Sequence, residues 1–207
     1  MAKELVVVGI DKILWPGNLA AATLSEMEKS GWIGYEGPRK ASTSTMIRRI
    51  AQVIGGRTEA SVKAVTRQVA EDFVGQIDSA TLARLEGFSA KRYRYVAMSS
   101  APGFVVRQAL ERLRQENGLW VFDALNSDFP VHAGRYTGEY KLLDKYAAVC
   151  SLLDRTGMPN VTVGLINGIS DLRWAQNLCA SIEVVNPGER LSQMSPDLIK
   201  GLARAEA

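Results

Sequence analysis

The sequence predicts an α/β fold, a parallel sheet flanked by helices, with an all-helical segment inserted after the first strand. Three observations carry this. Leu5-Val6-Val7-Val8 is an unbroken apolar run, mostly β-branched, which reads as a strand buried on both faces and therefore central in a parallel sheet. From Tyr93 onward short apolar runs alternate with segments of helical periodicity, the pattern of strands joined by right-handed helical crossovers. Between Trp15 and Arg92 no run has strand character, while apolar residues recur at helical spacing.

Taken in order, the first strand ends in the turn Gly9-Ile10-Asp11, and Pro16-Gly17-Asn18 closes the loop behind it. Leu19 to Lys29 reads as a helix, followed by a glycine-rich break from Gly31 to Pro38. Ser44 to Ile54 places Met46, Ile47, Ile50, Val53 and Ile54 near helical spacing, and Gly55-Gly56 stops it. Thr58 caps the next helix, with Ser61 at its third helical position, and that helix runs to about Val74. Another starts at Asp78-Ser79 and ends near Gly87. Tyr95–Met98 reads as the second strand, Phe104–Glu116 as a helix, Leu119–Leu125 as the third strand, and Phe129–Tyr140 as an extended excursion around Ala133-Gly134-Arg135. A helix over Leu142–Leu153, a strand over Val161–Ile166, a helix from Ser170 to about Cys179 and a strand over Ile182–Val185 complete the pattern.

Composition narrows the function classes. The chain has 207 residues, 46% of them hydrophobic and 23% charged, ordinary values for a soluble domain with a sizeable core. A net charge of +3, with no basic stripe interleaved with aromatics, argues against nucleic acid as a partner. The apolar runs are too short for a membrane span, and Met1-Ala2-Lys3-Glu4 lacks a signal-peptide layout. Cys150 and Cys179 form no CxxC pair and read as reduced core thiols of a cytoplasmic protein; with His132 the only histidine, a zinc site is not expected.

Three strand ends carry polar groups: Gly9 with Asp11, Ser99 with Ser100, and Asn167 with Asp171. In an open parallel sheet such ends converge on one crevice, and Lys145 lies near a helix start between the last two. Each residue also has a plain structural role. Asp11 serves equally as a turn carboxylate, Lys145 as an exposed helix lysine, Ser99 as a helix cap, and Asp171 as a brace for its loop. Trp15, Trp32 and Tyr35 read as core rather than as pocket walls.

The order and spacing of these groups resemble the haloacid dehalogenase (HAD) superfamily, in particular its phosphoserine-phosphatase-like branch with a helical cap. Gly134-Arg135-Tyr136-Thr137-Gly138 is similar to the family's Gly-Arg-x-Thr-Gly hairpin, and Val184-Val185-Asn186-Pro187 to its closing strand. The resemblance implies a Rossmann-like core of residues 1–18 plus 90–207 and a cap of residues 19–89. In the family motif Asp-x-Asp-Gly-Thr the first Asp is the nucleophile that becomes aspartyl-phosphate and the second the general acid/base. Here Gly9 stands at the nucleophile position, Asp11 matches the acid/base, and Lys12-Ile13 replace Gly-Thr. Ser99, or Ser100 with the loop shifted by one, matches the phosphate-binding Ser/Thr; Lys145 matches the charge-neutralising Lys, with Lys141 the alternative. In the fourth motif Asn167 replaces the magnesium-binding Asp while Asp171 remains.

A hard divalent cation needs anionic oxygens, and a glycine cannot be phosphorylated, so the resemblance implies no cofactor, with magnesium binding weak or absent. Three functions are compatible with these residues. One is a pseudophosphatase that binds an anionic small molecule or a protein partner through Ser99, Ser100, Lys145, Asn167 and Asp171. The second is a repurposed enzyme using Asp11 and Lys145 as catalytic groups for other chemistry. The third is a weak phosphatase without a covalent intermediate.

Overall fold

In the computed structural model residues 4–34, 41–77, 79–90 and 93–186 are described; the predicted Gly37-Pro38 break, Tyr35, Asp78 and Pro187 lie outside them. In chain order the first half comprises β1 (Leu5–Gly9), α1 (Leu19–Lys29), α2 (Thr43–Ile54), α3 (Glu59–Gly75), α4 (Ser79–Ala90), β2 (Arg94–Pro102) and α5 (Gly103–Asn117). The second half comprises β3 (Asp123–Ser127), the pair β4 (Val131–His132) and β5 (Arg135–Tyr136), α6 (Lys145–Thr156), β6 (Val161–Ile166), α7 (Ile169–Leu178) and β7 (Cys179–Val184).

The main sheet is parallel throughout, in the order β3-β2-β1-β6-β7. Val7 of β1 lies between Val96 of β2 and Gly164 of β6 in register. From β1 the chain winds outward first through β2 and β3, then returns to the other side through β6 and β7, so the strand order reverses at β1. That reversal opens a crevice at the carboxyl ends of the strands.

The run at β1 is apolar throughout because both faces are covered. Val6 and Val8 join one apolar cluster, with residues of α1, α2, α3 and α5, whereas Leu5 and Val7 join the other, with residues of α6 and α7. This is the two-residue period of a strand sandwiched between helical layers. β2 divides likewise, Tyr95 and Ala97 to the first cluster and Val96 and Met98 to the second.

The first three inserted helices start on side-chain caps: Asn18 accepts from the Ala21 N–H at 3.0 Å, Ser42 from Thr45 at 3.2 Å and Thr58 from Ser61 at 3.2 Å. α3 packs on α5, which joins the insert to the same apolar cluster as one sheet face. A backbone seam then ties the α2–α3 turn to the β4–β5 hairpin. Gly56 N–H donates to Tyr136 O at 2.8 Å, Tyr136 N–H to Arg57 O at 2.9 Å, and Glu59 N–H to Gly134 O at 3.1 Å. The seam needs glycine, because a Cβ on Gly55 would lie 3.2 Å from the Gly138 Cα.

Several boundaries differ from the sequence reading, these most of all. β2 runs on to Pro102, through an irregular register after Met98. β3 begins at Asp123 rather than Leu119, since Leu119 buries itself in the core before the ladder starts. α6 begins at Lys145 rather than Leu142, because Asp144 caps it by accepting from the Ala147 N–H at 3.1 Å. β7 begins at Cys179, directly behind α7, with no intervening loop.

Candidate functional site

Behind β1 the chain makes a single helical turn: Ile10 O accepts from the N–H of Leu14 at 3.0 Å and of Trp15 at 3.1 Å. Lys12, inside that turn, has φ +62°, in the left-handed region that favours glycine. The turn aims the Asp11 carboxylate at two donors. Oδ1 accepts from the N–H of Leu19, the first residue of α1, at 2.7 Å, and Oδ2 accepts from the Ser99 hydroxyl at 2.6 Å. Ser99 is 2% exposed, and its Oγ also accepts from the Ala101 N–H at 3.0 Å. The Ser99 hydroxyl thus donates to Asp11, and the helix-cap reading of Ser99 is corrected, since α5 starts behind Pro102 with no side-chain cap. Ser100, its neighbour along the strand, is the serine that lines the crevice.

Burial pushes the Asp11 carboxyl above its ordinary value; the Ser99 hydroxyl, the Leu19 N–H and the Lys145 charge pull the other way without cancelling it. A native value above the unfolded one means that the native chain holds the extra proton between the two, so stability falls as pH rises through that window. Ionised Asp11 therefore opposes folding at neutral pH. Asp11→Asn, whose amide oxygen still accepts from Leu19, is expected to be at least as stable as wild type at pH 7 and to depend less on pH on the acid side. Urea midpoints across about pH 4–7 check this; a variant less stable at pH 7 with an unchanged acid profile contradicts it.

Opposite Asp11, Lys145 opens α6 and its Nζ donates to Asp171 Oδ1 at 2.5 Å. Asp171, in the first turn of α7, is 4% exposed and also accepts from Trp174 Nε1 at 3.4 Å. A carboxylate in a first helical turn suits the helix dipole whereas a lysine there does not, and the pairing offsets the second arrangement with the first. Asn167 stands in the β6–α7 turn, half-buried. Asp11, Ser100, Lys145, Asn167 and Asp171 thus converge on one crevice of about 560 Å³, with Asn18, the cap of α1, and Thr43 of the insert also lining it. The sequence reading did not single out Lys12, Tyr146 and Arg173, which line the same crevice. The lysine in a glycine's place behind Asp11 was the available signal for the first.

Gly9 does not line the crevice. A Cβ built there would lie 2.9 Å from Ile13 Cδ1 and 3.7 Å from Leu165 O, and Ile13 is 3% exposed. An isoleucine methyl therefore occupies the space into which a side chain at position 9 would project. Trp15 is core, stacked edge-on to Phe73 and donating from Nε1 to Gln76 at 2.9 Å; Trp32 lies under the Arg57 guanidinium. Lys141 and His132 are exposed and outside the crevice. A larger groove of about 1000 Å³ runs along α5 beside α3 and holds none of the predicted residues. Among the described residues no group of three or more His, Cys, Asp or Glu is placed to hold a metal ion, and no helix is long and apolar enough to cross a membrane.

No family model matches the sequence, and no curated protein matches it. Solved structures do match. A protein of unknown function from Bordetella pertussis Tohama I superposes with a TM-score of 0.75 at 13% identity, over 97% of both chains. A phospho-aspartyl intermediate analogue of phosphoserine phosphatase superposes at 0.60 with 14% identity, over 93% of this chain and 91% of its own. Cytosolic 5′-nucleotidase IIIB bound to cytidine does so at 0.55 with 12% identity, over 97% of this chain and 77% of its own. With its parallel five-stranded sheet, its helical insert after β1 and these neighbours, the chain shares the fold of solved phosphoserine phosphatases.

Proposed function

We propose that the chain is a pseudophosphatase, a HAD-fold protein that binds an anionic small molecule in the crevice and does not hydrolyse phosphate esters. In this reading residues 1–18 and 90–207 form the core and residues 19–89 the cap. The observation that carries it is the Ile13 methyl in the space beside Gly9, 2.9 Å from where a Cβ would begin. The nucleophile position has no carboxylate to phosphorylate, and the end of the Ile13 side chain lies against it.

The donors around the crevice do not suit magnesium. Position 9 offers no oxygen beyond its backbone, Asn167 is neutral, and Asp171 is engaged by Lys145 at 2.5 Å. A small hard cation gives up its waters only for anionic oxygens in near-octahedral array. Incubated with phosphoserine, p-nitrophenyl phosphate or acetyl phosphate and magnesium, the protein is expected to give rates at the buffer level and no acyl-phosphate. Robust turnover abolished by EDTA overturns the proposal.

One observation favours a repurposed enzyme as the second reading. Asp11 borders the crevice with its carboxyl held above the ordinary value by burial, as is common for groups that exchange protons at neutral pH. Both its oxygens are already hydrogen-bonded, which weighs towards the binding role. The free cysteines, Cys150 and Cys179, fit the cytoplasmic setting proposed for either.

A further inference from the structure

We infer that the crevice takes singly charged carboxylates in preference to phosphate dianions, and that Lys12 is the residue that holds the carboxylate; this deepens the anion-binding reading above and rests on it. The charged groups lining the crevice are Lys12, Lys145 and Arg173 against Asp11, Asp144 and Asp171. They balance when all are ionised, so a bound dianion would bring two uncompensated negative charges beside three carboxylates, and a monoanion only one. Repulsion between like charges in a half-enclosed cavity grows with each added charge. A phosphatase crevice meets that difficulty with a divalent cation, for which the donors here are unsuited.

The three cations are not equivalent. Lys145 is engaged by Asp171 at 2.5 Å, and the Arg173 guanidinium lies over the Tyr146 ring, 5.1 Å from its centroid. Lys12, like Arg173, has no carboxylate partner among the described residues and stands exposed at the rim. Its backbone holds a conformation unfavourable for any residue but glycine, φ +62°, fixed in part by Asn186 Nδ2 donating to the Lys12 carbonyl at 3.2 Å. Strain maintained at the mouth of a crevice points to a use for the side chain it presents. Asn167 supplies an amide N–H₂ that donates to an anion where a carboxylate would repel it, and Ser170 adds a hydroxyl. One ammonium with two neutral donors matches the two oxygens and single charge of a carboxylate.

The test is an amide-resolved NMR titration of the full chain at pH 8 and constant ionic strength, with acetate, propionate and inorganic phosphate as probes. The expected result is saturable shifts around the crevice, with a monocarboxylate bound at least about tenfold tighter than phosphate. Lys12→Gly, which suits the backbone, should weaken carboxylate binding by about tenfold, and Lys12→Arg should retain it. Phosphate binding equal to or tighter than the carboxylates, or unchanged carboxylate binding by Lys12→Gly, overturns this inference and leaves the anion-binding reading standing. Failure of every probe to shift crevice resonances overturns both.

Discussion

Gly9→Asp should destabilise the protein by about 2–4 kcal/mol, a fall of about 5–15 °C in melting temperature for a chain of this size. The new Cβ would start 2.9 Å from Ile13 Cδ1, so the end of that side chain must swing aside within the larger apolar cluster, where Ile13 is 3% exposed, and a carboxylate must follow it in. The carboxylate would lie near the Leu165 carbonyl oxygen, 3.7 Å from the Cβ, with the Lys145 ammonium already engaged by Asp171. Ile13→Thr removes the conflicting methyl, so Gly9→Asp/Ile13→Thr should regain a large part of the loss. Adding Asn167→Asp supplies a second carboxylate. If the turns keep the shape of a magnesium site, millimolar magnesium should raise the melting temperature of the triple variant over its value in EDTA and leave wild type unchanged, because the ion binds only the folded state. Differential scanning calorimetry with and without magnesium reads both effects. A Gly9→Asp variant as stable as wild type would show that Ile13 does not fill the position. No magnesium shift in the triple variant would count for turns rebuilt around other chemistry.

The elements legible in the sequence are those whose environment is uniform along their length. β1 and β6 are covered on both faces, so β1 is apolar throughout, β6 breaks its apolar run only at Thr162 and Gly164, and both ends of β6 match the sequence reading. β7 was read late because it is an edge strand whose start, Cys179-Ala180-Ser181, is mostly exposed and carries no apolar run. α6 was read early because Leu142 and Leu143 extend its apolar pattern, while Asp144 takes the first turn's amide and sets the true start. The site was legible at the level of strand ends, which is why Asp11, Lys145, Asn167 and Asp171 meet in one crevice as expected from topology. Its finer features depend on orientation. Ser99 and Ser100 are adjacent on a strand and face opposite ways, so a one-residue ambiguity decides which lines the crevice. That Ile13 returns to fill the space beside Gly9 is a property of the turn between them, which no spacing rule contains.

Lys145→Ala should cost about 3–5 kcal/mol, lowering the melting temperature by about 6–20 °C, because its effect falls on Asp171. Asp171 is 4% exposed, and without the ammonium at 2.5 Å its remaining donor is Trp174 Nε1 at 3.4 Å. A buried carboxylate without a cation is among the costlier defects a fold can carry. The reverse change leaves less behind. In Asp171→Asn the Lys145 side chain, 25% exposed, can turn its charge to water, so the loss should be about 1–2 kcal/mol. Lys145→Ala/Asp171→Asn removes both charges and keeps a side-chain oxygen for Trp174, and its cost should fall short of the sum of the two single losses by about 1–3 kcal/mol. Urea denaturation of the four proteins closes the cycle. The same cycle decides what Lys145 is for. A lysine kept chiefly to meet a ligand would lose anion affinity on substitution with little change in stability and little coupling to Asp171. A lysine kept to neutralise Asp171 shows strong coupling, and it leaves the charge at the mouth of the crevice to Lys12.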